Sequence, residues 1–325
     1  MNLSLADYTD RSAGLGIVHK RRLIPGERAY TPTMGLLGPA KMAVPFRPGE
    51  HACCHFTDAE DRERLSVGFL RDGLRRGDKV LYLCDSDDLA AVLSRLTRGD
   101  PGFELAIANG QIEIRRARDT YIADGRFEPE KMLSLLRDEY DRALAEGYGG
   151  LSLTGEMPAA LCDSPGREQL QVYEARLASD HRQHVELSAS SYSILCQYDH
   201  GRFGPGILSE VVDAHEVDAS PELASIGRKG VLGAARDRGR DALRLAGELD
   251  FDSAQTVSDV LDAHFHGPLR LDLADLTYVD VAGMRALRGR KRQRVTIIPA
   301  SDAVRRLLAL LAWDTDPAIE LVEVG

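Results

Sequence analysis

The sequence has few of the features that mark secreted or membrane-bound proteins. Only five of its 325 residues are cysteines. Two of them, Cys53 and Cys54, are adjacent, and the odd total fits reduced thiols better than a disulfide framework. No apolar run approaches the roughly 18 residues of a membrane span, and the first residues lack the charged and then apolar layout of a signal peptide. These absences predict a cytoplasmic protein without a membrane partner.

Positive charge is also scarce. Lys and Arg number 41 against 51 for Asp and Glu, which gives a net charge of -10. This balance argues against a surface built for nucleic acid, so no nucleic-acid partner is predicted. One local exception is the group of six cations between residues 285 and 294. We interpret it as a solvated helix end, because no aromatic residues are interleaved with the cations.

Composition and periodicity divide the chain into four parts. Residues 1–46 are rich in Gly and Pro and are predicted to form a mobile tail. Residues 47–218 alternate apolar runs with amphipathic segments, and residues 219–229 are predicted to be a linker. Residues 230–325 then form a second domain. The fold class is therefore α/β: a three-layer sandwich followed by a small mixed sheet backed by helices.

Potential metal ligands are most concentrated between residues 51 and 55. If this segment is a strand, His51, Cys53 and His55 share one face and could meet Cys196 or His184 around a metal ion. The alternative is a buried strand with small apolar thiols. Because the segment has no CxxC spacing, we prefer the buried strand and predict neither metal nor cofactor.

Other polar residues lie near strand ends or on a facing helix, where open α/β sheets form ligand pockets. These residues could bind a small molecule that the protein senses. Capping and surface roles are the alternative. The candidate ligand-sensing residues are His51, Cys54, Glu156, Tyr173, Glu174, Cys196 and Tyr198.

The second domain is organised around residues 269–287. An apolar strand leads to Asp280, and a helix is predicted to begin at the next residue. A strand that runs directly into a helix leaves free amide groups in the first helical turn, where a phosphate or a partner carboxylate can bind. We therefore predict a partner-binding site at this junction. Its residues are Asp280, Val281, Ala282, Gly283 and Met284.

A family resemblance covers the first domain. The segments HACCHFTDAEDRERLSVGFL, GQIEI, EGYGGLSLTGEM, YEARL and ILCQYD occur in this order. Together they resemble the MEDS domain of methanogen and methylotroph sensory proteins. The resemblance implies a RecA-like fold and a sensory role. One position departs from the family pattern, because Ala159 stands where an aromatic residue is expected.

The RecA-like fold raises the question of nucleotide chemistry. An ATPase needs a Gly-rich loop and a Lys after the first strand to neutralise the phosphates. Residues 56–63 offer carboxylates there instead. Asp85, Asp87 and Asp88 follow the second strand, and we interpret them as helix caps. The sequence therefore predicts no catalysis in this domain.

The second domain resembles the STAS domain of anti-sigma factor antagonists, on RLAGELD, LDLADLTYVDVAGMRAL and the final amphipathic helix. The resemblance implies docking on an anti-sigma factor or a switch kinase, blocked when a Ser at the helix start is phosphorylated. It places the phosphoacceptor at Ala282 and a second Ser or Thr position at Val281. Neither residue has a hydroxyl group. Thr277 and Ser301 are the nearest replacements, although each is more simply a turn or cap residue.

These patterns predict a non-enzymatic signalling regulator. The first domain would sense a ligand or redox state, and the second would bind an anti-sigma factor or related kinase. The missing hydroxyl groups suggest that the second domain is either held permanently in a binding-competent form or retired to a scaffold. Two alternatives remain open. The first domain could be a metal- or nucleotide-dependent enzyme, or the chain could be a scaffold subunit that forms a homo-oligomer in a sensory assembly.

Overall fold

The computed structural model describes residues 46–98, 101–188, 190–227, 231–288 and 294–322. The predicted tail, residues 1–46, lies outside this part except for Phe46, as do Arg290, Lys291 and Arg292 of the cationic group. The described residues form two compact units that do not follow the order of the chain. The first unit contains residues 69–214, and the second contains residues 46–68 and 215–322. The predicted domain boundaries stay a prediction.

The secondary structure alternates strands and helices, so the predicted α/β class is confirmed. In chain order the strands are β1 His51–Phe56, β2 Lys79–Cys84, β3 Ile112–Arg116, β4 Gly150–Glu156, β5 Ser191–Asp199, β6 Val217–Ala219, β7 Leu232–Asp237, β8 Ala242–Leu249, β9 Leu269–Val279, β10 Val295–Ala300 and β11 Ile319–Leu321. The α-helices are α1 Ala59–Arg76, α2 Leu89–Thr97, α3 Pro101–Ala108, α4 Ala117–Tyr121, α5 Pro129–Ala145, α6 Leu170–Leu187, α7 His200–Val212, α8 Pro221–Ile226, α9 Phe251–His264, α10 Val281–Arg288 and α11 Asp302–Leu310. Among the described residues, no helix is both long and apolar enough to cross a membrane.

The first unit contains a parallel sheet in the order β5-β4-β2-β3. Helices cover both of its faces. Gly73 of α1 lies against Ser152 of β4, whereas the hydroxyl of Tyr121 in α4 lies beside Gly155 of the same strand. Ser152 and Gly155 are three residues apart, so they belong to opposite faces of the sheet. This arrangement explains why β2 and β4 are buried along their whole length.

The polar residues after β2 have two different roles. The carboxylate of Asp88 accepts a hydrogen bond from the amide of Ala91, so its predicted role as the cap of α2 is confirmed. Asp85 does not cap α2 but binds the first residue of the 3₁₀-helix Ala159–Asp163. Its carboxylate accepts a hydrogen bond from the amide of Ala159 at 2.9 Å and so connects the end of β2 to the segment after β4.

The second unit contains a mixed sheet in the order β11-β10-β9-β8-β7-β6-β1. Strands β7 and β8 pair in an antiparallel manner and form a hairpin. Strand β6 is antiparallel to β7, and the other neighbouring strands are parallel. The segment predicted as a linker contains α8, in which Leu223, Ala224 and Ile226 are buried.

Helices α8 to α11 of the second unit share one apolar core with the strands. Alternation along β8 places Leu243 and Leu245 in this core and leaves Arg244 on the opposite face. Helix α9 contributes Val257 and Leu261 at helical spacing. Its N-terminal cap is Asp250, whose side chain accepts a hydrogen bond from the amide of Ser253.

The face opposite this core contains a buried ionic group, which we call the Arg244 network. Arg244 is only 2% exposed, and its guanidinium donates to Glu50 at 2.7 Å and to Asp237 at 2.7 Å. Asp272 of β9 is fully buried and accepts hydrogen bonds from Arg47 and Arg240. The segment that precedes β1 is therefore attached to the sheet by ion pairs. The network comprises Arg47, Glu50, Asp237, Arg240, Arg244, Asp272 and Asp275.

Candidate functional site

The junction between β9 and α10 is held by the carboxylate of Asp280. One oxygen accepts a hydrogen bond from the amide of Gly283 at 2.8 Å, and the other accepts from the amide of Phe251 at 2.8 Å. Asp280 therefore caps α10 and also connects it to the first residue of α9. The expectation of a free amide is wrong at Gly283, because the side chain of Asp280 already occupies it.

The five residues predicted at this junction differ in exposure. Gly283 and Met284 are buried in the core of the second unit, and Ala282 is partly buried. Val281 is 36% exposed. Only part of the predicted partner site can therefore contact another molecule directly.

Two exposed aromatic residues border Asp280. Phe251, whose amide binds the Asp280 carboxylate, is 77% exposed, and Tyr278 is 50% exposed. Val281 is a third exposed apolar residue near Asp280, and we call Phe251, Tyr278 and Val281 the junction patch. The sequence analysis did not select Phe251 or Tyr278. One sequence signal could have indicated Phe251. It is an aromatic residue at the first position of a capped helix, before the apolar periodicity of that helix begins.

The replacement phosphoacceptors considered for this region have structural hydrogen bonds. Ser301 caps α11, because its side chain accepts a hydrogen bond from the amide of Val304. The hydroxyl of Thr277 donates to the carbonyl of Gly247 at 3.1 Å. The cap interpretation is therefore confirmed for Ser301, whereas the turn or cap interpretation of Thr277 is wrong, because this residue lies within β9.

A buried polar cluster lies in the first unit, between α6 and β5. The hydroxyl of Tyr198 donates to Glu174 Oε1 at 2.5 Å, and the Cys196 thiol lies 3.8 Å from Glu174 Oε2. Cys196 and Tyr198 are two residues apart on β5, so both point towards α6. Tyr173 is the neighbour of Glu174 on that helix. We call Tyr173, Glu174, Cys196 and Tyr198 the Glu174 cluster.

Aromatic rings surround the Glu174 cluster. Phe127 and Tyr121 contact the ring of Tyr173 edge to face, and Phe203 contacts Tyr198 in the same way. The hydroxyl of Tyr173 is buried and has no hydrogen-bond partner within the described part of the chain. The arrangement therefore places a few polar groups among closely packed aromatic rings.

Burial controls the protonation of this cluster. Removal from water raises the pKa of Glu174 to about 7, although the hydrogen bonds from Tyr198 and Cys196 act in the opposite direction. Burial also raises the pKa of the Tyr173 phenol well above its ordinary value, and the charges of Tyr121, Glu174 and Cys196 raise it further. The cluster therefore favours neutral side chains.

The raised pKa of Glu174 predicts a specific dependence of stability on pH. The native chain retains this proton up to about pH 7, whereas the unfolded chain loses it near 4.5. The contribution of Glu174 is therefore largest below pH 4.5 and is lost as the pH rises to 7. Replacement of Glu174 by Gln should remove this loss, as measured by urea unfolding between pH 4.5 and 8. Glu130→Gln, at an exposed glutamate, is the control and should leave the profile unchanged.

Glu156 lies outside the Glu174 cluster. Its carboxylate accepts hydrogen bonds from the hydroxyl of Tyr82 and from the amide of Asp85, the latter at 3.0 Å. The reason is the register of β4 and β5, which places Glu156 opposite Gln197, whereas Gly155 is opposite Cys196. Glu156 therefore points to the face that Cys196 does not use.

The remaining candidates lie on β1 in the second unit. His51, Cys53, Cys54 and His55 are all buried there. Cys53 and Cys54 lie opposite Asp218 and Ala219 of β6, and the ring of His51 is 4.2 Å from that of His215. The metal site considered at His51, Cys53 and His55 stays a prediction, as does the purely structural alternative.

The loop after β1 is the segment in which a nucleotide-binding sequence was sought. The carboxylate of Asp58 accepts a hydrogen bond from the amide of Asp61 at 2.8 Å. A side-chain carboxylate therefore already binds an amide in the first turn of α1. This contact agrees with the interpretation that residues 56–63 present carboxylates instead of a phosphate-binding loop.

The comparison with protein families decides the classification. Residues 50–216 match the family model described as MEDS, the methanogen/methylotroph, DcmR sensory domain, and this match covers more than half of the 325 residues. The chain belongs to the MEDS family. In addition, residues 232–323 match the model described as Mlab, STAS domain. The predicted combination of MEDS and STAS regions is confirmed.

The MEDS protein is also similar to a characterised regulator, the transcriptional repressor DcmR of Methylorubrum extorquens (strain DSM 6343 / CIP 106787 / DM4). The two sequences are 29% identical over 167 residues, which cover 51% of this chain and 58% of the repressor. The similarity thus spans less than two thirds of the length of the repressor. The MEDS and STAS matches and this relative point to a regulatory protein in signalling.

Proposed function

We propose that this MEDS protein is a non-enzymatic signalling regulator with a sensory region and a partner-binding region. The MEDS region senses a small molecule or a redox state. The STAS region binds an anti-sigma factor or a switch kinase and thereby controls transcription. The observation that carries the proposal is the junction patch, in which Phe251, Tyr278 and Val281 are exposed around Asp280.

The junction patch has the properties of a docking surface. Aromatic side chains are enriched at the centres of protein interfaces, where they provide much of the binding free energy. The two hydrogen bonds of Asp280 fix the starts of α9 and α10 before any partner arrives. A preorganised surface loses less conformational entropy on binding, which favours affinity.

The absence of hydroxyl groups at Val281 and Ala282 supports a patch that is always competent to bind. A phosphate group at the helix start would add about two negative charges to the contact and oppose docking. This chain has no acceptor there. Regulation of docking would then come from the MEDS region instead of from phosphorylation at the patch.

The Glu174 cluster is the feature that supports sensing. Its carboxyl, thiol and phenol groups are buried and enclosed by aromatic rings. Such a site suits a small ligand with one polar end, because buried polar groups orient the ligand while apolar walls exclude water. A redox change at the Cys196 thiol would also alter the hydrogen bonding of Glu174.

Binding experiments on the junction patch test the proposal. Candidate anti-sigma factors and switch kinases would be titrated against the full chain by calorimetry. We expect Val281→Asp and Phe251→Ala to weaken binding by at least about tenfold, because each change removes apolar contact at the centre of the interface. The unfolding midpoint of each variant should stay close to that of the wild type, since both side chains are exposed.

Leu310→Ala is the matched control. Leu310 is 81% exposed and lies at the end of α11 in the same unit, so its truncation removes a similar apolar side chain away from the patch. Binding by this variant should be unchanged. Failure of every candidate to bind the wild type, or equal binding by Val281→Asp, would contradict the proposed partner.

A further inference from the structure

We propose that residues 46–50 form an autoinhibitory strap, in which Arg47 occupies a site on β9 that binds an arginine of the docking partner. The inference rests on the proposed function and deepens it, because it names the chemistry of the partner and a contact that regulates docking. The strap and β9 both belong to the second unit.

Two carboxylates of β9 bind the guanidinium group of Arg47. Its Nη1 and Nη2 donate to the two oxygens of Asp272, at 2.8 and 2.9 Å, and its Nε donates to Asp275 at 2.7 Å. All three nitrogens of the guanidinium therefore have carboxylate partners. This forked arrangement recognises arginine in preference to lysine, because the ammonium group of lysine is a single point charge.

The strap itself is a short turn that polar contacts hold on the sheet. Gly49 has a φ of 77°, which reverses the chain, and the amide of Arg47 donates to the Glu50 carboxylate at 2.7 Å. The same carboxylate accepts a hydrogen bond from Arg244. Arg47 is partly exposed and Asp275 is exposed, so solvent screens their ion pair and another molecule can reach it.

The arginine site and the junction patch lie on the same face of the sheet. Paired residues of neighbouring strands point to one face, and Arg244 points away from the apolar core. In order along the two strands, the pairs on this face are Arg244 with Asp272, Ala246 with Asp275 and Glu248 with Tyr278. The last two pairs are two residues of β8 apart, which corresponds to about 7 Å. A partner that extends along β9 from the patch therefore meets the strap.

Release of the strap would leave an acidic surface beside the junction patch. Within the described part of the chain, Arg47 is the only cation paired with Asp275, and Glu248 is exposed on the same face. An arginine of the partner would restore the pairs with Asp272 and Asp275, so the exchange leaves no buried carboxylate without its cation. The strap therefore opposes docking only by the free energy of its own release.

Titration of the full chain with N-acetyl-arginine amide tests the inference. A ligand that binds only the native chain raises the midpoint of thermal unfolding with concentration, and this increase gives the affinity. We expect Arg47→Ala to bind the probe at least about tenfold more tightly than the wild type, whose site is open only in molecules that have released Arg47. N-acetyl-lysine amide should bind Arg47→Ala at least about tenfold more weakly than the arginine probe, because it lacks the fork.

Further variants locate the binding. Asp275→Asn in the Arg47→Ala background should weaken binding of the arginine probe by at least about tenfold, because the site loses a charged acceptor. Asp314→Asn in the same background is the matched control, since it changes an exposed carboxylate elsewhere in the unit, and should leave the affinity unchanged. Arg306→Ala, which removes an exposed arginine of α11, should bind the probe as weakly as the wild type.

The inference is overturned if Arg47→Ala binds the arginine probe no more tightly than the wild type, or binds the lysine probe equally well. If Arg47→Ala does not fold, as judged by circular dichroism, Arg47→Lys replaces it, and binding equal to that of the wild type then overturns the inference. The probe requires no partner protein, so this result is separate from the titrations of candidate partners. A partner identified at the junction patch should bind Arg47→Ala more tightly than the wild type, and unchanged or weaker binding contradicts the inhibitory role of the strap.

Discussion

Replacement of Arg244 by Met is expected to lower the free energy of unfolding by about 3–5 kcal/mol, because it leaves buried carboxylates without their cation. Arg244 is 2% exposed and donates to Glu50 and Asp237, and its Nε lies 3.7 Å from Asp272. Asp237 is only 6% exposed, so water cannot readily replace the guanidinium that it loses. Urea unfolding of the full chain at pH 7, followed by circular dichroism, measures the effect.

Arg240→Met is the matched control for this change. Arg240 also binds Asp272, at 3.0 Å, but its side chain is 47% exposed. Solvent screens exposed ion pairs, and their contribution is commonly about 0–1 kcal/mol. If the two variants lose the same stability, burial of Arg244 is not the source of its effect and the network contributes only as a set of surface pairs.

Replacement of Gly283 by Ala is expected to destabilise the second unit by about 2–3 kcal/mol, the upper part of the range for overpacked cores. A Cβ atom at this position would lie 2.6 Å from both the Cγ and the carbonyl oxygen of Leu249. That carbonyl also accepts the amide of Asp280 at 3.1 Å, so it cannot move away without loss of a second contact. Thermal and urea unfolding of the variant would measure the loss.

Gly206→Ala is the comparison variant, because its expected effect on the free energy of unfolding is opposite to that of Gly283→Ala. Gly206 lies in α7, two residues after the kink at Gly204, and a Cβ there would meet no atom within 4 Å. Alanine is favoured over glycine inside helices by about 0.5–1 kcal/mol, so this variant should be slightly more stable than the wild type. A stabilising effect of Gly283→Ala would show that α10 can move away from Leu249 at little cost.

The elements with strong periodicity were predictable from the sequence. The fully apolar run of β2, the turn between β7 and β8, and the apolar stripe of α9 each have a local signal that tertiary contacts only reinforce. Helix α8 was hidden because its segment combines Gly, Ser and charged residues. Its buried face becomes recognisable only when the core of the second unit is present.

The candidate sites, too, could be predicted only in part, because their composition depends on contacts between distant segments. Alternation along β5 places Cys196 and Tyr198 on one face, but the register of β4 against β5 is not a property of either strand alone. The inclusion of Glu156 with these residues therefore could not be checked from the sequence. The pairing of Arg47 with Asp272 joins residues that are 225 positions apart, and no local pattern indicates it.

The pairing of β6 with β7 has a practical consequence for dissection of the chain. Val217 and Asp218 cover the outer side of β7, and β6 is in turn paired with β1. A recombinant fragment cut at residue 230 would leave the backbone amides and carbonyls of β7 open along one border of the sheet. Uncovered borders of this kind recruit further strands, so such a fragment would tend to self-associate and precipitate. Solubility screening should therefore retain residues 46–56 and 215–229 together with the C-terminal portion.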